Sequence, residues 1–223
     1  MLRPLSPSDG PAVAAIQISE LGGSMVVQLG RHFLEDFYYG RLLALELMGG
    51  YVYEVEGVVA GFITFSSDST RLFHEGLRKH FSLLCWVMAR QVLWSPTHLK
   101  AIWRSVWFLL EQHREEEGLG VDAEMLSFAV LPAYRTPEFY RATRVRVSHV
   151  LFRAALARLQ ELGVREFKLC TGPTNTVAQN FFRQHGVEVV GPVRRLGKQE
   201  VLMRGDLKPV CPVPEPPPSQ GSV

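Results

Sequence analysis

Three features of the sequence predict a mixed α/β (α+β) domain. Two strand-like runs, Tyr51-Val52-Tyr53-Glu54-Val55 and Val58 through Phe65, flank Glu56-Gly57, a two-residue hairpin signal. A strand-like run over Glu124–Leu131 is followed by a helical segment that stops at Glu161-Leu162-Gly163. A second run then covers Glu166–Cys170, so this stretch reads as two parallel strands with a crossover helix. Between these halves lies a long helical stretch from Asp68 to Gly120, an insertion before the fourth strand.

The remaining elements follow in order. Leu2-Arg3-Pro4-Leu5 reads as an edge strand, where proline is tolerated. Ser8-Asp9-Gly10-Pro11 supplies a cap and a first-turn proline for a helix. Gln28 to Leu47 reads as a second helix ended by Gly49-Gly50, with Phe33, Leu34, Phe37, Leu42 and Leu43 at helical spacing. Within the insertion, Ser95-Pro96 splits the helical run. After Cys170 come a helix over Thr176–Gln184 and strands over Val187–Val190 and Glu200–Met203. The expected domain spans residues 1–208, with the insertion at about 68–120 and a proline-rich, disordered tail at 209–223.

Composition excludes several classes. A net charge of +2 is too small for nucleic-acid binding by bulk electrostatics. Cys85, Cys170 and Cys211 are odd in number and far apart, with no CxxC or Cys/His cluster, so neither a disulfide framework nor a metal site is expected. MLRPLSPSDG has no apolar signal stretch, and Phe81–Trp94 falls short of the ~20 residues of a bilayer span, so a cytoplasmic protein is expected.

Two patterns in the second half carry a resemblance. The strand and its exit read Leu126-Ser127-Phe128-Ala129-Val130-Leu131-Pro132-Ala133-Tyr134-Arg135. Further on, Asn175, Ala178, Phe181, Phe182, Gly186 and Val187 have the spacing N-x-x-A-x-x-F-F-x-x-x-G-V. Separately, Val130-Leu131-Pro132 is a buried strand ended by proline, and Asn175 is a helix cap. Together and in this order, they resemble the GNAT superfamily of N-acetyltransferases over roughly residues 2 to 206, apart from the insertion.

That resemblance implies a mixed central sheet whose fourth and fifth strands splay apart. Pantetheine of acetyl-CoA or another acyl-CoA would lie in the gap along the backbone of Ala129, Val130 and Leu131, with Asn175 and Phe182 nearby. The next loop and helix start would hold the pyrophosphate through amides and the helix dipole. The family's loop is glycine-rich, whereas residues 134–148 contain no glycine. Counting back from Leu151-Phe152-Arg153 puts Thr143, Arg146 and Ser148 at the family's loop positions. Counting forward from Arg135 puts Glu138 and Tyr140 there instead. The registers differ by eight residues, so the loop carries an insertion or the helix starts two turns early. The first register is preferred and places phosphates at Arg144, Val145, Arg146, Val147 and Ser148. Arg135, Arg141, Arg144 and Arg146 share a window with a single acid, Glu138, and guanidinium forks suit phosphate.

Glu124 opens the fourth strand six residues before Val130, an offset that resembles that of the catalytic base in the histone-acetylating branch of the superfamily, so the resemblance implies it as the base, with Glu54 and Asp122 next. Strand alternation would put Glu124 on one face with Leu126, Phe128 and Val130. Phe182 stands where the family has a proton-donating tyrosine, leaving Tyr140, His149, His185 or solvent for that step. The four tryptophans, Trp86, Trp94, Trp103 and Trp107, all fall in the insertion, which is expected to pack on the domain or on a second subunit as a homodimer; the alternatives are an apolar wall over the acceptor cleft and peripheral membrane contact. The implied activity is N-acylation of a small-molecule amine. The alternatives are a donor on an acyl carrier protein, or a non-catalytic binding domain of the same fold.

Overall fold

In the computed structural model, residues 1–80, 82, 85–86, 120–195 and 198–207 are described. Strands β1 (Leu2–Pro4), β2 (Gly49–Val55), β3 (Val58–Ser66), β4 (Glu124–Val130), β5 (Glu166–Thr171), β6 (Val187–Arg195) and β7 (Lys198–Asp206) form one sheet. Its order is β1-β2-β3-β4-β5-β7-β6. Only the β4–β5 pair is parallel, as a crossover connection requires.

Helices cover both faces. On one face, α1 (Gly10–Glu20), α2 (Met25–Gln28) and α3 (Phe33–Leu42) bury Val13, Ile16, Phe33, Phe37 and Tyr39 against Val52, Phe62 and Ala129. The expected continuous helix over Gln28–Leu47 is broken at Gly30, which takes φ +94°, a conformation that costs glycine little. α3 is wound as a π-helix, and the same wide turn closes its end, where the Leu47 amide donates to the Leu42 carbonyl at 3.2 Å. Gly49 and Gly50 therefore open β2 rather than end the helix.

The start of the expected insertion is helical, with α4 (Ser69–Arg71) continuing into Leu72–Arg78. Asp68 caps it by accepting from the Arg71 amide at 2.7 Å. Ser95-Pro96, Trp94, Trp103 and Trp107 lie outside the described residues, as do Cys211 and the rest of the tail, and Trp86 is exposed.

On the opposite face, α6 (Val147–Glu161) and α7 (Thr176–Gln184) pack Leu151, Phe152, Leu159 and Phe182 against Ile63, Phe65, Val130 and Phe167. Between β4 and α6 sits an extra short helix, α5 (Pro137–Thr143). It is capped by Thr136, whose hydroxyl accepts from the Phe139 amide at 3.1 Å. Arg144 closes α5 in the left-handed region at φ +59°. The chain is extended at Arg146 before α6 begins. The left-handed Arg144 and the extended Arg146 thus interrupt the helical segment between Pro137 and Glu161.

The first strand is tied to the first helix by a buried carboxylate. Arg3 donates to both oxygens of Asp9, at 2.7 and 2.8 Å, and to Glu54 at 3.0 Å. Asp9 also accepts from the Ser6 amide and hydroxyl. The Arg3 bonds hold the Asp9 carboxyl below its ordinary range, burial opposes them, and Ser6 adds to them. A depressed carboxylate contributes stability at pH values above the unfolded range, lost as pH falls through the folded value. Asp9→Asn is therefore expected to cost about 1–3 kcal/mol at neutral pH. The mutant and wild-type melting curves should converge below about pH 4. A constant difference between pH 7 and pH 3 would contradict this.

Candidate active site at the β4–β5 gap

β4 and β5 pair only through Glu124↔Lys168 and Met125↔Leu169, with one further bond from the Lys168 amide to the Ala123 carbonyl at 2.9 Å. From Leu126 onward the β5-facing edge of β4 has no ladder partner among the described residues, while its other edge stays paired with β3. The expected splay is present. Backbone groups of residues 126–130 that do not bond to β3 thus face a gap between two strands of one sheet, which a linear polar chain can fill by hydrogen bonding. Leu131, expected to offer its backbone there, does not, because its amide donates to the Ala60 carbonyl at 2.8 Å and its carbonyl accepts from the Tyr134 amide at 3.0 Å. Gly61 lets β3 lie close behind this segment. A Cβ there would sit 2.8 Å from the Ala129 carbonyl and 2.9 Å from Val130 Cγ2.

β4 carries a bulge. Thr64 pairs with Ser127 but Phe65 pairs with Met125, so Leu126 is an extra residue. This corrects the simple alternation expected for the strand. Phe128 and Val130 face α6, whereas Leu126, Ser127 and Ala129 face α1 and α3. Glu124 lies on the α1–α3 side, where its charge acts on the Tyr38 phenol.

Glu124 is buried, with only 6% of its side chain exposed. Arg195 donates to its Oε1 at 2.7 Å, and the Arg195 side chain is itself 11% exposed. Oε2 is buried with no hydrogen-bond partner among the described residues. Nearby runs a chain of buried polar groups: Tyr39 donates to Gln17 Oε1, and Gln17 Nε2 donates to Ser127 Oγ at 3.2 Å. Burial pushes both the Tyr38 and Tyr39 phenols upward, so each stays protonated at neutral pH. Of the other candidate bases, Glu54 is engaged by Arg3 at the sheet edge, and Asp122 is exposed.

Beyond β4, the start of α6 follows directly on α5. Arg146 is the N-cap of α6 and offers no side-chain cap, so the first amides of the helix, at Val147, Ser148 and His149, project beyond it. Val147 is buried and anchors the turn, while Val145 and Ser148 are half-buried. The Arg146 guanidinium lies 4.9 Å from the centre of the Tyr140 ring. Two of the four arginines are engaged by carboxylates, Arg135 by Glu20 and Arg141 by Glu138, each at 2.7 Å. Arg144 and Arg146 are exposed and have no carboxylate partner among the described residues.

Asn175 caps α7, its Oδ1 accepting from the Ala178 amide at 3.1 Å. Phe182 is buried against Phe128 and Phe152. Phe181 carries two imidazoles: the rings of His149 and His185 lie 4.8 Å apart, centre to centre, and each contacts Phe181. Burial, then the nearby His185, Arg146 and Arg153, hold the His149 imidazolium below its ordinary range. His185 Nδ1 is bonded to the Phe181 carbonyl at 2.8 Å.

Arg195, Gln17, Tyr38, Tyr39 and Lys168 were not among the residues singled out by sequence. Arg195 lies beyond Val190, where the sequence signal for β6 ends, and nothing local marks it as a partner of Glu124. No group of three or more His, Cys, Asp or Glu side chains among the described residues could hold a metal ion. No described helix is long and apolar enough to cross a membrane.

No family model and no curated protein matches the chain. Solved structures do. An N-acetyltransferase from Staphylococcus aureus Mu50 superposes with a TM-score of 0.58, over 93% of this chain and 98% of that one, at 15% identity. The PaiA N-acetyltransferase from Thermoplasma acidophilum, in complex with coenzyme A, gives 0.51 over 92% and 98%, at 13% identity. An acetyltransferase of the GNAT family from Streptococcus pneumoniae gives 0.51 over 93% and 99%, at 12% identity. The protein is thus a mixed α/β chain built around a split parallel strand pair. Its fold is that of the GNAT N-acetyltransferases.

Proposed function

We propose that this chain is an acyl-CoA-dependent N-acyltransferase, with acetyl-CoA as donor and a small-molecule amine as acceptor, acting in the cytoplasm. The observation that carries the reading is a single juxtaposition. The open edge of β4 begins beside a buried carboxylate with one unpartnered oxygen. The donor's amide-containing arm would lie along Ala129 and Val130, bonding to backbone groups that β3 leaves open, and would pass Leu131, whose amide and carbonyl are already paired, with the Asn175 side chain reaching it from α7. Its phosphates would meet Arg144, Arg146 and the amides of Val147 and Ser148, where the helix dipole adds attraction.

In this reading Glu124 Oε2 takes a proton from the incoming ammonium. The amine nitrogen then attacks the thioester carbon to give a tetrahedral oxyanion, the nitrogen gives its second proton to solvent, and the C–S bond breaks to release the amide and the thiolate. Phe182 has no proton to give, so the thiolate leaves as such or is protonated by solvent. Phe182 instead supports the wall of the gap through Phe128 and Phe152.

A second reading, in which the acyl group arrives on a carrier protein, is favoured by the exposed arginines of the glycine-less loop, which suit an acidic partner. Calorimetry separates these. Acetyl-CoA binding at least about tenfold tighter than free phosphopantetheine supports the first reading. Equal binding of the two supports the carrier, and binding of neither supports a non-catalytic domain.

A further inference from the structure

Glu124 and Arg195 are brought together by two irregularities in the sheet. The bulge at Leu126 places Glu124 on the α1–α3 side. The second lies in β6, where Val189 pairs with Met203 but Gly191 pairs with Leu202, leaving Val190 extra. Val187, before this bulge, faces the core under α6 with Met203. Residues 191, 193 and 195 oppose Leu202, Glu200 and Lys198, on the other face. An unbroken alternation would have turned Arg195 away from Glu124. The two bulges therefore set one side-chain contact across 71 residues of sequence.

The contact does not have the form of a structural ion pair in this same protein. Arg3 engages both oxygens of Asp9, and Ser6 adds two more donors. Arg195 gives one bond to Glu124 Oε1, and Oε2 is left buried and unpartnered among the described residues. Replacing a buried ion pair with well-packed apolar groups is often neutral or stabilising, so burial alone gives this pair no clear stabilising purpose. A carboxylate held by one oxygen has a fixed orientation and one oxygen reserved for another donor.

We infer that Arg195 is a positioning residue: it anchors Glu124 Oε1 so that Oε2 is the oxygen presented to the acceptor amine. The inference rests on the proposed role of Glu124 as base. The other groups facing Glu124 are Lys168, in register on β5, Ser66 on β3 and Tyr38 on α3. None of them takes Oε2.

The test compares Arg195→Met, Arg195→Lys and Glu124→Gln in the full chain. Thiol release from acetyl-CoA is measured with glycinamide, ethanolamine and phenethylamine, alongside melting temperature and acetyl-CoA affinity. Arg195→Met is expected to lower kcat by about 10- to 100-fold, the loss typical of a misplaced reacting group, with the KM for acetyl-CoA within about threefold. Arg195→Lys, which restores a donor and a charge without the fork, should recover part of that loss. A crystal structure of Arg195→Met should show the Glu124 side chain turned from its present rotamer. If Arg195→Met keeps wild-type kcat while Glu124→Gln is impaired, this inference is overturned and the base assignment stands. If Glu124→Gln keeps wild-type kcat, the base assignment itself is overturned. An equal loss of melting temperature and kcat in both Arg195 variants, with no rescue by lysine, would make the residue structural and also overturn the inference.

Discussion

Glu124→Gln is expected to lower turnover by about 10²- to 10⁴-fold while acetyl-CoA affinity stays near that of wild type. Glutamine keeps the size of the side chain and can still accept from Arg195 through its amide oxygen, so the buried contact at Oε1 has a neutral substitute. What is lost is the carboxylate oxygen at Oε2, which cannot take up a proton once it is an amide nitrogen. The two predicted effects separate because Glu124 sits where β4 and β5 still pair, while the donor is assigned to the stretch around Ala129 and Val130, beyond that pairing. Single-turnover thiol release at saturating acetyl-CoA reads the chemical step directly. A parallel loss of donor affinity would make Glu124 a support for the gap rather than a base. Unchanged turnover would pass the proton to the exposed Asp122 before Glu54, since Arg3 already engages Glu54.

How far the sequence reached this site depends on which interactions are local. The β2–β3 hairpin was legible because Glu56-Gly57 is a local turn signal, and Glu56 and Gly57 both take positive φ in the structure. The crossover helix and its stop at Gly163 were legible for the same reason, and so was the capping role of Asn175. Glu124 was singled out through the resemblance, but the face it occupies was not legible. A bulge is fixed by the partner strand, and nothing in Glu124–Val130 alone announces that Leu126 will be skipped. β6 shows the same limit. The sequence signal ended at Val190, yet the strand runs on through Pro192 to Arg195, because an edge strand tolerates a residue without an amide hydrogen. Arg195 and the Gln17–Tyr39–Ser127 chain were invisible for a further reason. They are polar residues whose burial becomes favourable only when partners from distant elements arrive.

The glycine-less loop yields the second large prediction: alanine at both Arg144 and Arg146 is expected to weaken CoA binding by about 2–5 kcal/mol, or about 30- to 5,000-fold. In the family that this chain resembles, glycines let backbone amides approach the phosphates. Here the same turn is made by a short helix, a left-handed Arg144 and an extended Arg146. On the proposed reading, the backbone contribution would be confined to the first amides of α6, and the two guanidinium groups would supply the rest. Neither is engaged by a carboxylate among the described residues, so neither must give up an ion pair to bind a phosphate. Arg144 also provides a control for folding. A non-glycine residue at φ +59° carries conformational strain of about 1 kcal/mol, so Arg144→Gly should hold or raise the melting temperature while still losing affinity. Because the lost contacts are charge-assisted, the wild-type affinity should fall with added salt more steeply than that of the double mutant. Free pantetheine, which has no phosphate, should bind the wild type and both variants alike. Undiminished CoA affinity in the double mutant would place the phosphates elsewhere and return the counting-forward register, with Arg135 and Glu138, to consideration.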